Sequence, residues 1–194
     1  MGEIKPLERL DATVRIPGSK SYTQRAMVIA ALAEGESLLR DVLLSEDTRI
    51  LSAALGEMGA DIRTEGMEMI VRGNGGRLVR PSREIHLGNN GTAMRLLAGV
   101  ASLGAGSIVL TGTLRLRERP LKPLLDALTV LGTEARTKGG RGYPPVTIRG
   151  GRLRGGKVVL QDIESSQYVS SLLIVAPFAA GETTIVLKGR IPSL

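Results

Sequence analysis

Cysteine is absent from this sequence, which excludes disulfides and thiolate metal sites. A single histidine, His86, excludes a histidine-rich metal site as well. Aromatic residues are nearly absent too: Phe178, Tyr22, Tyr143 and Tyr168 are the complete set. Nucleic acid is therefore disfavoured as a partner, because single-stranded bases want aromatic platforms to stack on. The basic residues are also dispersed, with no block beyond Arg115, Arg117 and Arg119. No apolar run approaches the roughly 20 residues that cross a bilayer, so no membrane partner is expected. The stretch Met1–Leu10 carries two acids and has neither an apolar signal core nor Arg/Ser-rich transit character. The expected setting is cytoplasmic.

What is present supports a packed α/β core. Of the 194 residues, 42% are hydrophobic, enough to build an interior from Leu, Val, Ile, Ala and Met, and 25 glycines allow close packing. The net charge of +7 fits small acidic ligands, and equally a basic surface with no specific partner.

The chain repeats itself. Ala- and Leu-rich helical stretches run from Ser21 to Gly35, from Thr92 to Gly106 and from Ser166 to Gly181, with nearly constant spacing from start to glycine. Each reads as a helix capped by a hydroxyl residue, stopped at glycine and followed by a short strand. A second set follows: Ala54-Leu55-Gly56-Glu57-Met58-Gly59 is matched one repeat later by Ala127-Leu128-Thr129-Val130-Leu131-Gly132. Both end amphipathic helices that start near Asp47-Thr48 and near Pro120. Two strands follow each, Asp61–Thr64 paralleling Glu134–Thr137, and Val71-Arg72-Gly73 paralleling Ile148-Arg149-Gly150.

One unit is thus βαβαββ, and the two-strand segments read as hairpins rather than crossovers. Such units would sit around a pseudo-threefold axis, two of them complete and the third cut after its first helix and strand. The chain is on this count expected to be a fragment.

Polar residues gather where each unit's first helix begins: Pro17-Gly18-Ser19-Lys20-Ser21 with Arg25, Leu87-Gly88-Asn89-Asn90-Gly91-Thr92 with Arg95, and Glu164-Ser165-Ser166-Gln167. A helix N-terminus presents unpaired N–H groups to an anion, and Lys, Arg and hydroxyls add donors. Each cluster alone also reads as an ordinary cap; the functional reading comes from the same cluster recurring three times. A fourth group, Arg115-Leu116-Arg117-Glu118-Arg119-Pro120, can grip phosphate or carboxylate, or be a solvated loop in which Glu118 neutralises a neighbour. Pro120 is placed in the first turn of the following helix. His86 reads as a strand or surface residue, and Gly73-Asn74-Gly75-Gly76 lacks the Lys-Ser/Thr of a nucleotide-binding loop.

Pro17-Gly18-Ser19-Lys20-Ser21, Leu87-Gly88-Asn89 with Gly91-Thr92-Ala93-Met94-Arg95, Arg117-Glu118-Arg119-Pro120, Tyr143-Pro144-Pro145 and Ser165-Ser166-Gln167 together resemble the 5-enolpyruvylshikimate-3-phosphate synthase family, in its order and spacing. The resemblance runs from about Ile4 to Ser193. It implies transfer of the enolpyruvyl group of phosphoenolpyruvate to the 5-hydroxyl of shikimate 3-phosphate, releasing phosphate, with no cofactor and no metal.

By motif, the resemblance implies that Lys20 faces both substrates as the catalytic residue of this part. Ser21, Arg25, Ser165, Ser166, Gln167 and Ser193 would hold shikimate 3-phosphate. Asn89, Gly91, Thr92, Arg119 and Gln167 would join Lys20 around phosphoenolpyruvate, and glyphosate would meet Gly91 and Lys20. Asn90 stands where the family commonly has Ala or Ser and is expected to crowd the phosphoenolpyruvate loop. The family places residues 1–17 with a second, C-terminal lobe that is the expected partner, leaving 18–194 as the shikimate-3-phosphate-binding lobe, truncated within its third repeat. The fragment would bind and not turn over. The alternative is a non-catalytic binding module for phosphorylated ligands or nucleic acid.

Overall fold

The computed structural model describes Arg9 and residues 11–192; Ser193 lies outside the described residues. The first unit contributes α1 (Lys20–Leu32), β1 (Glu34–Leu39), α2 (Glu46–Glu57), β2 (Asp61–Glu65) and β3 (Glu68–Asn74). The second runs β4 (Ile85–His86), α3 (Gly91–Ala101), β5 (Gly106–Thr111), α4 (Lys122–Val130), β6 (Glu134–Thr137) and β7 (Val146–Gly150). The third contributes β8 (Gly156–Gln161), α5 (Gln167–Val175) and β9 (Thr183–Lys188). The second unit has the expected βαβαββ order in full.

Among the described residues three sheets form, in strand orders β1-β3-β2, β4-β5-β7-β6 and β8-β9. The pairs β4–β5 and β8–β9, each joined through a helix, are parallel. The hairpins β2–β3 and β6–β7 are antiparallel, as are their contacts with β1 and β5. Parallel strands need a crossover and antiparallel ones only a turn, so the helices come to lie over the sheets.

The repetition extends to single hydrogen bonds. Gly59 and Gly132 end α2 and α4 with φ of 101° and 99°. The next amide then turns back onto the last helical turn, Ala60 N–H to the Leu55 carbonyl (3.1 Å) and Thr133 N–H to that of Leu128 (3.0 Å). In the sheets Gly35 faces Gly73 and Gly106 faces Gly150. A Cβ on Gly73 would lie 3.1 Å from the Ala31 carbonyl, and one on Gly150 would lie 2.7 Å from that of Ala101. The C-terminal ends of α1 and α3 therefore rest directly on bare strand.

Several boundaries differ from expectation. The helices α1 and α3 end at Leu32 and Ala101, and Gly35 and Gly106 belong to the strands that follow rather than stopping the helices. The helix α4 starts at Lys122 with Pro123 in its first turn; Pro120 stands before it, because a 3-10 turn over Leu116–Glu118 takes up the preceding residues. The helix from Ser166 does not run to Gly181 but ends at Val175, where Pro177 turns the chain into a 3-10 turn over Ala176–Phe178.

The core centres on α3, in which Ala93, Met94, Leu96, Leu97, Ala98, Val100 and Ala101 are all buried. It packs closely on α5, where the Ser171 hydroxyl donates to the Arg95 carbonyl at 2.8 Å beside Gly99. Burying a Leu or Met contributes about 1.5–3 kcal/mol. The ion pairs found among the described residues, such as Lys122–Asp126 and Arg136–Glu134, lie at the surface, where a pair is worth about 0–1 kcal/mol. The apolar interior holds the fold.

Candidate functional site

The three first helices begin on one shared network, and the side chains that accept from their first amides sit at equivalent positions. Ser19, Asn90 and Ser165 stand at one identical offset before Gly35, Gly106 and Gly181. Ser19 Oγ accepts from Tyr22 N–H (3.4 Å), Asn90 Oδ1 from Ala93 N–H (2.9 Å) and Ser165 Oγ from Gln167 N–H (3.2 Å). This corrects the expectation that Ser21 and Thr92 are the caps: both lie two positions further on, inside their helices, and their hydroxyls are released from capping. Ser166 does stand at the N-cap of α5, as expected, but its hydroxyl makes no capping bond there; the Ser165 hydroxyl before it takes Gln167 N–H instead.

Gln24, Arg95 and Ser170 share a second, shorter offset from the same glycines, and through them the three units close a ring. Gln24 Oε1 accepts from Asn90 Nδ2 at 2.8 Å, joining the first unit to the second. Arg95 Nη1 donates to Gln167 Oε1 at 2.9 Å, joining the second to the third. Arg25 Nε donates to Ser170 Oγ at 3.1 Å, joining the third back to the first. Gln167 also donates from Nε2 to Thr92 Oγ1 at 3.0 Å, so both ends of its amide are held by α3.

The cations stand around this ring. Lys20, exposed at the start of α1, pairs with Asp47 in the first turn of α2, Nζ to Oδ2 2.6 Å. Arg25, half-buried, bonds through Nη1 to the hydroxyl of Ser21 and to its carbonyl (3.2 Å). Gly91 is buried, and a Cβ there would lie 2.6 Å from Arg119 Nη1 and 3.3 Å from Arg95 Nη1. Two guanidinium groups thus converge on the main chain of the α3 N-terminus. Neither Arg95 nor Arg119 has a carboxylate within ion-pair distance among the described residues. Arg95 Nε is buried without a hydrogen-bond partner.

Tyr168 braces the arrangement from below. It is fully buried, its hydroxyl donates to the Pro120 carbonyl at 2.7 Å, and Arg95 lies over its ring at 5.4 Å. Burial pushes its phenol above the ordinary value; the nearby Arg95 cation opposes that shift, and Glu164 adds to it.

The structure thus brings together Lys20, Ser21, Arg25, Gly91, Thr92, Arg119, Ser165, Ser166 and Gln167 around the three helix starts and the loop after β5. Asn89 stands beside them, exposed in the turn before α3. Asn90 does not crowd that turn: it is 1% exposed, and its amide points into the protein. Glu118 forms no ion pair among the described residues, so it neutralises none of its neighbours; Arg117 instead donates to the Gly112 carbonyl at 3.0 Å. His86 is an exposed strand residue whose Nδ1 accepts from Gly88 N–H at 3.3 Å.

Sequence reasoning missed Gln24, Asp47 and Ser170, and it named Arg95 without giving it a role. The shared offset from each unit's glycine was the signal for Gln24, Arg95 and Ser170. Chemically, three helix N-termini, four cations and one neighbouring carboxylate make a site for an anion with more than one charged group.

Among the described residues no helix is long and apolar enough to cross a membrane. A family model described as EPSP synthase (3-phosphoshikimate 1-carboxyvinyltransferase) matches residues 4–194. A 3-phosphoshikimate 1-carboxyvinyltransferase of Methanothermobacter thermautotrophicus is 48% identical over 177 residues, covering 91% of this chain and 42% of the relative. One from Klebsiella pneumoniae is 42% identical over 193 residues, covering 98% and 45%. The solved EPSP synthase of Acinetobacter baumannii superposes with a TM-score of 0.82 at 34% identity, covering 89% of this chain and 39% of that one. The chain spans under half the length of these relatives. With the family matched over almost every residue and the fold matched independently, the chain belongs to the EPSP synthase family.

Proposed function

We propose that this chain supplies the shikimate-3-phosphate-gripping lobe of an enolpyruvyl transferase of aromatic amino acid biosynthesis. That enzyme moves the enolpyruvyl group of phosphoenolpyruvate to the 5-hydroxyl of shikimate 3-phosphate. The hydroxyl adds to the enol carbon as the methylene carbon gains a proton. Loss of a proton and of inorganic phosphate then restores the double bond. The observation that carries this reading is the convergence of Arg119 and Arg95 on Gly91, beside a ring of polar side chains from three helix starts.

In this reading Arg25, Ser21, Ser165 and Ser166 hold shikimate 3-phosphate, and Gln167, clamped by Arg95 and Thr92, presents a fixed face to its ring. Ser193 would add a contact from outside the described residues. Gly91 and Arg119 receive phosphoenolpyruvate, with Asn89 and Thr92 shaping the turn; glyphosate would compete there. Lys20 exchanges Asp47 for the two anions and is the catalytic residue of this lobe. The partner is the C-terminal lobe, which supplies the groups that move protons. Exposure of Val14 (73%) and Ile16 (80%) supports packing of the segment up to residue 17 against that lobe. A cytoplasmic setting goes with this reading.

Calorimetric titration with shikimate 3-phosphate tests it. Binding is expected, lost in Lys20→Ala and Arg25→Ala, with phosphate release only when the remaining lobe is added in trans. A folded sample that binds nothing at millimolar ligand, or that releases phosphate alone, would overturn it.

A further inference from the structure

Asn90 differs from the two residues at its equivalent positions in what it does beyond capping. The Ser19 hydroxyl caps α1, that of Ser165 accepts from the first amide of α5, and neither makes another side-chain hydrogen bond among the described residues. Asn90 caps α3 through Oδ1 and spends both protons of Nδ2 elsewhere. One goes to Gln24 Oε1 in α1 and the other to the main-chain carbonyl of Asp47 in α2, both at 2.8 Å. Asn90 and Gln24 are 1% and 0% exposed, so these bonds are made without competition from water. Their directions fix the amide: Oδ1 must face the Ala93 N–H, and Nδ2 must face the two carbonyl oxygens.

Asp47 is the residue that holds Lys20. Its carboxylate pairs with Nζ while its main chain is pinned by Asn90. Asn90 also sets the direction of the first amides of α3, where Gly91 meets Arg119. From this geometry we infer that Asn90 is a positioning residue that couples Lys20, through Asp47, to the Gly91 end of α3. It acts without touching ligand. The inference rests on the functional reading above for what the coupled groups bind, and not for the coupling itself.

The test replaces Asn90 by Ser, the residue at the two equivalent positions, which keeps a capping acceptor but cannot span to Gln24 and Asp47. Asn90→Asp keeps the length and the cap but places acceptor against acceptor. The readouts are the side-chain ammonium resonances of Lys20 and Lys122 at low temperature, and the affinity for inorganic phosphate and phosphoenolpyruvate. Lys122, paired with Asp126 at 2.7 Å, is the internal control.

Both variants are expected to lose or shift the Lys20 resonance, leave that of Lys122 in place, and bind both anions about tenfold more weakly, as one lost charge-assisted contact implies. An unchanged Lys20 resonance and unchanged affinity, with only a lower melting temperature, would make Asn90 a plain structural cap and overturn the inference. Failure of both variants to fold would do the same. If the parent chain binds neither anion nor shikimate 3-phosphate, the functional reading falls, while the Lys20 resonance still decides the coupling.

Discussion

The hydroxyl of Tyr168 donates a 2.7 Å hydrogen bond to the carbonyl of Pro120. Tyr168 lies in the first turn of α5, and Pro120 directly follows Arg119, so this bond ties the third unit to the loop carrying that guanidinium. Tyr168→Phe removes the donor and leaves a carbonyl facing an apolar ring edge. The expected loss of stability is about 1–2 kcal/mol, measured by urea unfolding. Phosphate affinity should fall with it, because the Arg119 loop loses a tether.

Alkaline pH should weaken the fold through the same residue. Burial raises the Tyr168 phenol above its ordinary value near 10, so the folded state favours the protonated form. That contribution is complete below the unfolded value and is lost as pH rises through the higher folded one. Urea unfolding of the parent chain and Tyr168→Phe on either side of pH 10 should show the difference between them shrinking as pH rises. A constant difference would remove the phenol as the cause.

Gly91→Ala should separate binding from stability. Its Cβ would enter the space beside Arg119 Nη1, and the far end of that side chain can move aside. The melting temperature is expected to change little. Phosphoenolpyruvate and phosphate affinity should drop about tenfold or more, since an Arg–anion contact contributes about 1.5–3 kcal/mol. Equal affinity in the variant would place the anion elsewhere.

Gly99→Val should do the opposite. Gly99 lies against Ser171 across the α3–α5 contact, where a Cβ would come within 3.0 Å of the Ser171 carbonyl oxygen. The two helices must part or the Ser171–Arg95 bond must break, at an expected cost of about 1–3 kcal/mol by urea unfolding. A variant as stable as the parent would mean that the contact is looser than its geometry implies.

The unit order was legible because the Ala-Leu-Gly and strand patterns recur with nearly constant spacing. The first two caps were misread because Ser21 and Thr92 are good capping types, and composition cannot choose between neighbouring polar residues; Ser166 was read at its right place. The side chain that accepts from the first helical amides is the one equidistant from the glycine in all three units: Ser19, Asn90 and Ser165. Pro120 was misplaced for a related reason: the chain needed a 3-10 turn to bring Arg119 back toward Gly91, and local preference does not contain that demand. Asp47 was invisible as a partner of Lys20 because the two are far apart in sequence and meet only through the packing of α1 on α2. Asn90 looked like an intruder in a loop, since its burial depends on a carbonyl and an amide from two other helices. The polar clusters at the three helix starts, by contrast, were readable from recurrence, whereas Arg119, in a loop that does not recur, was placed at the site only by the family resemblance.

The bare glycine pairs in the sheets have a consequence for distances at the opposite end of the molecule. Because α1 and α3 are seated on Gly73 and Gly150, with no side chain to act as a spacer, each helix works as a gauge of fixed length. One residue inserted within α3 would lift its upper end by about 1.5 Å and rotate it by about 100°. Gly91 would then swing away from Arg119, and Asn90 away from Gln24, with the sheet untouched. The site is dimensioned from the floor of the lobe upward, so helix length is under the same constraint as the residues that meet the ligand.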